Sequence, residues 1–253
     1  MNSIENNLDY YYIVTGATSG IGKALVYELD SNGKKLILIA RSSEKLKELE
    51  SNFKNKHVYI TVDLSNIQDL IDVLKTINYK IKGFIHCAGL ESVLPLRQVS
   101  YLKFDNIMKI HVYSFVEILK YIEKNKSIDE NYLTSIIAMS SIASQTGGIG
   151  QSMYSASKAG LEALVRVLSK ELSNKKIRLN SIQPGIVNTE MTERWRRKIG
   201  ISNVDDLNKL QLNGIAESSD IVSLILFLLS DNSKQISGTE IKIDGGGPIN
   251  KYF

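Results

Sequence analysis

Seven short runs of the kind that form buried strands alternate with helical stretches along nearly the whole of this chain. The runs are residues 10–16, 35–40, 57–62, 83–89, 134–140, 177–185 and 239–244. They are rich in Ile, Val and Tyr and are bounded by Gly, Ser, Asp or Pro. Helical stretches occupy 20–31, 43–52, 66–77, 104–124, 151–173 and 217–230. In the last of these, Ile221, Leu224, Ile225, Leu228 and Leu229 fall at three- and four-residue steps and make one apolar stripe. Strict alternation implies right-handed βαβ crossovers, and hence one parallel sheet with helices on both faces. The expectation is an α/β chain, doubly wound and seven-stranded. Residues 1–9 read as a polar lead-in and 10–253 as a single domain. The strand-poor stretch at about 188–213 is the natural substrate lid, because loops at strand C-termini carry function in such sheets.

Composition narrows the classes of function. A chain of 253 residues can bury about three quarters of its unfolded surface. Its net charge of +4 comes from scattered lysines with no dense basic block, which argues against nucleic-acid binding. The longest apolar run, 221–229, falls well short of the ~20 residues a membrane span needs. Cys87 is the single cysteine, which rules out an internal disulfide and fits a reducing compartment. Acids stand near the start where a secretory leader would be basic. A cytoplasmic protein without metal, membrane or nucleic acid is expected.

The segment "VTGATSGIG" carries glycines at 16, 20 and 22 between the first strand and the first helix. Gly16 allows a tight turn, while Gly20 and Gly22 remove side chains where backbone must approach a pyrophosphate and where the helix must pack on the sheet. The helix N-terminus then offers unpaired N–H groups to that anion, with Thr18, Ser19 and Ile21 around it. The end of the second strand selects among dinucleotides. An NAD site usually carries Asp or Glu there, but this chain reads "LIARSSEKL", with no acid before Glu44. A carboxylate would repel a 2′-phosphate, whereas the Arg41 guanidinium can grip it, with Ser19 and Ser42 adding hydroxyls. NADP(H) is the expected cofactor, with NAD(H) as the alternative.

The ordered set "TGATSGIG", "VDLS", "HCAG", "MSS", "YSASK", "IRLNSIQPG" and "ISGTEIKIDGG" resembles the short-chain dehydrogenase/reductase family nearly end to end, and its 3-oxoacyl carrier-protein reductases in particular. The resemblance implies a Rossmann-type fold and carbonyl chemistry performed by Ser141, Tyr154 and Lys158. Ser141 precedes Tyr154 by the family spacing of thirteen residues. Tyr154 and Lys158, four residues apart on a helix, share one face. A phenol with a pKa near 10 needs a depression of roughly 2–3 units to act as a base at neutral pH. An ammonium ~4 Å away can supply that at an effective dielectric of 20. In reduction, Tyr154 instead donates its proton to the developing alkoxide while Ser141 hydrogen-bonds it. The small Ser155, Ala156 and Gly160 let this helix lie close to its neighbours.

The resemblance further implies cofactor contacts at Asp63 and Leu64, at Cys87, Ala88 and Gly89, and at Pro184, Gly185, Ile186, Val187 and Thr189. Lys158 would also hold the nicotinamide ribose. Two departures stand out. "HCAG" replaces the family's Asn-Asn-Ala-Gly, so the bracing by two amides must be weaker or come from elsewhere. His111 stands where an asparagine normally assists the proton relay to Lys158, and a neutral imidazole could carry that relay or merely replace the amide structurally. Residues 86, 87 and 111 also motivate an alternative function, a dinucleotide-binding sensor or partner without turnover. In the lid, Arg194, Arg196, Arg197 and Lys198 surround Trp195 and read either as an anion grip or as a solvated helix face. Trp195, Met191 and Leu94 are candidates for an apolar wall around a small carbonyl or alcohol substrate. Relatives pair through their two long helices, so a homodimer or homotetramer is expected. Phe115, Ile118, Leu119, Leu164 and Leu168 do not distinguish that interface from the core.

Overall fold

The computed structural model describes residues 10–124, 132–201 and 203–247. The expected lead-in, 1–9, lies outside them. Seven strands form one sheet: β1 (Tyr10–Thr15), β2 (Lys35–Ala40), β3 (Val58–Thr61), β4 (Lys80–His86), β5 (Thr134–Met139), β6 (Ile177–Pro184) and β7 (Glu240–Ile243). Their order is β3-β2-β1-β4-β5-β6-β7, with every neighbouring pair parallel. The helices are α1 (Gly20–Ser31), α2 (Ser43–Asn52), α3 (Ile67–Leu74), α4 (Tyr101–Met108), α5 (Ser114–Lys124), α6 (Ala143–Thr146), α7 (Ser152–Glu171), α8 (Glu190–Lys198), α9 (Val204–Asn208) and α10 (Ser218–Leu229). The doubly wound, seven-stranded parallel sheet expected from the alternation is the one observed, and with it the Rossmann-type fold that the resemblance implies.

Side chains two apart along a strand fall on one face, which divides the core in two. Ile13, Ile37, Ile39, Phe84, Ile136 and Leu179 pack with Phe115, Ile118, Leu161 and Val165 from α5 and α7. Val14, Leu36, Leu38, Ile85, Ile137 and Ile182 pack on the other face with Leu25, Leu29, Ile221 and Ile225 from α1 and α10. Each fully buried aliphatic side chain contributes roughly 1.5–3 kcal/mol of transfer free energy. Phe115, Ile118 and Leu119 are buried in the core and Leu168 packs against it, so these residues serve the core. Val167 is the large apolar side chain that α7 leaves exposed among its described residues.

Two local readings are sharpened. β4 begins at Lys80, ahead of the apolar run, because its first residues alternate lysine with isoleucine and glycine. Lys82 places its ammonium 5.6 Å from the ring centre of Tyr10 and 4.9 Å from that of Tyr132, a favourable cation–π arrangement. The lid stretch holds two helices, α8 and α9, each N-capped by a side chain, Thr189 and Asn203 respectively. Among the described residues no helix is long and apolar enough to cross a membrane.

β1 neighbours β2 on one side and β4 on the other. The chain order reverses there, and crevices of doubly wound sheets open at such a reversal, outside the strands' carboxyl ends.

Candidate active site

A cavity of about 340 Å³ opens at that reversal. All the expected site residues line it except Ser42 and His111. At one end the β1–α1 turn folds closely on itself. Gly16 has a φ of 67°, and a Cβ there would meet Ala88 N at 2.8 Å. A Cβ on Gly22 would stand 2.2 Å from Gly16 O, a backbone collision. The glycines therefore put no side chain of their own between the N-terminus of α1 and the cavity, a geometry that fits a diphosphate. Ser19 is the N-cap residue but makes no side-chain cap bond.

Arg41 follows β2 at the cavity edge. Ser42 does not join it, contrary to expectation: its hydroxyl accepts from Lys45 N at 3.3 Å and caps α2. Asp63 lines the cavity and closes its own turn, with Oδ1 accepting from the Ser65 amide and hydroxyl at 2.9 and 2.8 Å. Thr189 lines it too, and its Oγ1 accepts from Thr192 N at 3.2 Å.

At the other end stand Ser141, just after β5, and Tyr154 and Lys158 on the first turns of α7. Lys158 Nζ lies 5.7 Å from the centre of the Tyr154 ring and donates to Met139 O at 2.7 Å. Burial lowers the Lys158 pKa to about 8. Burial likewise pushes the Tyr154 phenol up, opposed by a hydrogen bond from Ser141 and reinforced by the negative charge of Glu91. The depression expected from Lys158 is thus reversed in the protein by itself. The ammonium stands over the ring, and desolvation outweighs what it offers the oxygen. Tyr154 is thereby held in its protonated form.

His86 and Cys87 occupy the places of two bracing amides. His86, fully buried, donates from Nε2 to Ile110 O at 3.1 Å and accepts at Nδ1 from Thr15 Oγ1 at 2.9 Å. One imidazole therefore ties β4 to β1 and to the helix above. Burial pushes its pKa down to about 3, so it stays neutral. Burial pushes the Cys87 thiol up to about 12, far from the thiolate that reactivity requires.

His111 sits in a π-helical turn, Lys109–Tyr113, between α4 and α5. Its Nε2 accepts from Leu90 N at 2.8 Å, which leaves the proton on Nδ1 for Ser157 Oγ, also at 2.8 Å. Ser157 Oγ in turn donates to Tyr154 O at 2.7 Å. Both ring nitrogens are committed, and burial with the charge of Lys158 holds the imidazole well below its ordinary pKa. His111 thus ties the loop after β4 to α7, with no free nitrogen for the relay.

The lid cations are largely paired. Arg196 donates to Glu193 at 2.9 and 2.6 Å and Arg197 to the same carboxylate at 3.0 Å. Those guanidinium groups hold Glu193 down to about 2. Lys198 reaches Glu91 at 2.5 Å, and Arg194 lines the cavity. Met191 and Trp195 are in the cavity wall as expected, but Leu94 is not, and Val93 takes its place. Trp195 also packs on the small cluster of Ile186, Leu207 and Leu210.

Three acids escaped the sequence reading. Glu91 lines the cavity. Glu190 Oε2 accepts from Gly20 N at 3.2 Å, at the N-terminus of α1. Glu162, buried one turn beyond Lys158, accepts from Ser140 Oγ at 2.5 Å, Ser144 Oγ at 2.7 Å and Gln183 Nε2 at 2.8 Å. Only Glu162 left a sequence signal, its four-residue step from Lys158.

Residues 16–247 match the family model described as enoyl-(acyl carrier protein) reductase. The chain is 31% identical to the 3-oxoacyl-(acyl carrier protein) reductase FabG of Rickettsia prowazekii, over 92% of this chain and 95% of that protein. It is 28% identical to the L-xylulose reductase of Caenorhabditis elegans, over 94% and 95%. Among solved structures, a short-chain type dehydrogenase/reductase from Mycobacterium ulcerans superimposes with a TM-score of 0.83 at 25% identity, covering 97% of this chain and 92% of that one.

Proposed function

The chain belongs to the short-chain dehydrogenase/reductase family, and from that premise we propose that it is an NADP(H)-dependent oxidoreductase acting on a carbonyl or secondary alcohol. The observation that carries the reading is the meeting of Ser141, Tyr154 and Lys158 at one end of a cavity whose other end is a glycine turn at a helix N-terminus. When bound, a reduced nicotinamide supplies the hydride that converts the carbonyl carbon to a carbinol carbon. Tyr154 gives its phenolic proton to the substrate oxygen as negative charge develops there. Ser141 donates a hydrogen bond to the same oxygen. Lys158 offsets the charge left on the phenolate, and a proton from solvent restores the phenol. In this scheme His111 is a brace that keeps Tyr154 and the loop after β4 in register. The substrate is a small ketone or a 3-oxoacyl thioester, as the names of the relatives suggest. Assembly into a homodimer or homotetramer accords with the family.

Arg41 supports the preference for NADP(H), because no acid stands at the end of β2 to repel a 2′-phosphate. Arg41→Ala is expected to raise KM for NADPH about 10- to 100-fold while changing KM for NADH little. Equal efficiency with both nucleotides in the parent, unchanged by the substitution, would remove the assignment.

Glu190 presents an anion where the diphosphate would lie. Glu190→Gln is therefore expected to tighten NADPH binding about 3- to 10-fold at low salt and less at high salt. Fluorescence titration measures this, and unchanged or weaker affinity would count against the competition.

The overall test follows NADPH oxidation at 340 nm over ketones and oxoacyl thioesters. Tight nucleotide binding without turnover of any of them would favour the sensor instead.

A further inference from the structure

One buried carboxylate lining the cavity of the reacting phenol has an oxygen without a partner and no task in the scheme above. Glu91 follows β4 by a few residues and lines the same cavity as Ser141 and Tyr154. Its side chain is only 11% exposed. One carboxylate oxygen, Oε1, takes the Lys198 ammonium at 2.5 Å, from the last turn of α8. The other, Oε2, is buried and has no hydrogen-bond partner. A buried carboxylate oxygen without a donor is unfavourable, and a ligand that brings a donor relieves that cost.

The surroundings restrict that donor. Lys198 already offsets the charge of Glu91, so a second cation would face an ammonium for little electrostatic gain. Val93, Met191 and Trp195 nearby in the cavity wall are apolar. A neutral hydroxyl satisfies Oε2 without adding charge.

We infer that the substrate is a hydroxylated carbonyl compound, with a hydroxyl donating to Glu91 Oε2 while the carbonyl oxygen meets Tyr154 and Ser141. This rests on the carbonyl-reductase reading and deepens it. A 3-oxoacyl thioester offers a second carbonyl oxygen instead, an acceptor facing an acceptor, and leaves Oε2 unpaired. A site built to bond a hydroxyl rejects the analogue that lacks it. Lys198 holds the carboxylate in place and joins the lid helix to the recognition point.

The test compares kcat/KM for hydroxyacetone, aminoacetone and acetone, and for a ketopentose against 2-pentanone, in the parent, Glu91→Gln and Glu91→Leu. The melting transition of each variant verifies folding. The parent is expected to favour hydroxyacetone over acetone about 10- to 100-fold, Glu91→Gln to keep part of that ratio, and Glu91→Leu to abolish it. A parent ratio near one, or a ratio unaltered in Glu91→Leu, would overturn the proposal. A preference for aminoacetone over hydroxyacetone would overturn it as well, because the donor would then be an ammonium. Should the parent bind NADPH yet reduce none of these ketones, the catalytic reading falls by itself. Calorimetric titration of the ketopentose into the nucleotide complex then decides the role of Glu91. Binding that disappears in Glu91→Leu upholds the proposal, and absent or equal binding overturns it.

Discussion

Tyr154→Phe is expected to lower kcat/KM for carbonyl reduction by about three orders of magnitude while leaving NADPH affinity within about twofold. The substitution removes one oxygen and little else. The ring keeps its place under Lys158 and its edge contact with His111, whose centre is 5.7 Å away. What is lost is the proton donor and the hydrogen bond with Ser141. General acid catalysis is worth about 10²- to 10⁴-fold, and the phenol is the donor the cavity presents to the carbonyl oxygen in this scheme. Burial holds that phenol above its ordinary pKa, so it is protonated at neutral pH in the protein by itself. Reduction should accordingly be flat near neutrality and fall at high pH, while oxidation of the alcohol, which needs the phenolate, should rise with pH. Steady-state kinetics in both directions reads this directly. Loss of less than tenfold in Tyr154→Phe would mean that the proton comes from elsewhere.

Lys158→Met separates what the lysine costs the fold from what it gives the chemistry. The ammonium is buried, and its pKa is lowered from 10.5 to about 8 by desolvation. Between those values the unfolded chain binds a proton that the folded chain has released, so stability contributed by this group rises with pH across that window. Below about pH 8 both states are protonated, and the full cost of burying the charge is present, on the order of 3 kcal/mol. The sign is the reverse of that for a lysine that gains a partner. Cys87, Tyr12 and Tyr59 are raised by burial and work in the opposite direction at alkaline pH, so the difference between parent and variant is the informative quantity. Denaturant unfolding without nucleotide should show the parent gaining about 3 kcal/mol on Lys158→Met between pH 7 and 10.5. At neutral pH the variant should be as stable or up to ~2 kcal/mol more stable, since the unpaired Met139 carbonyl takes back part of the gain. Turnover should fall by at least two orders of magnitude. A difference that does not vary with pH would show that Lys158 is not desolvated in the fold.

The parts of this molecule that can be read along the chain are those made by neighbours in sequence. Strand alternation, the glycines at 16, 20 and 22, and the four-residue step from Tyr154 to Lys158 are all local, and local backbone rules translate them into a strand, a turn and a helical face. Ser141 and Tyr154 also keep a fixed spacing that the resemblance could interpret. Folding supplied the rest. Glu91 meets Lys198 across 107 positions and Gly20 meets Glu190 across 170. His111 closes on Ser157 across 46. No periodicity marks such pairs, because they arise only when loops from the ends of different strands converge over one cleft.

The same cause explains why the two histidines at family asparagine positions left alternatives open in the sequence. Residue type allowed weakened bracing or bracing from elsewhere, and a relay or a structural replacement, whereas in the fold each histidine finds two partners from other segments and stays neutral. Chemical identity is written in the order of residues. Which groups are desolvated, which are paired, and which carboxylate oxygen is left waiting for a donor depend on distances between segments, and those exist only once the sheet has brought its loops together.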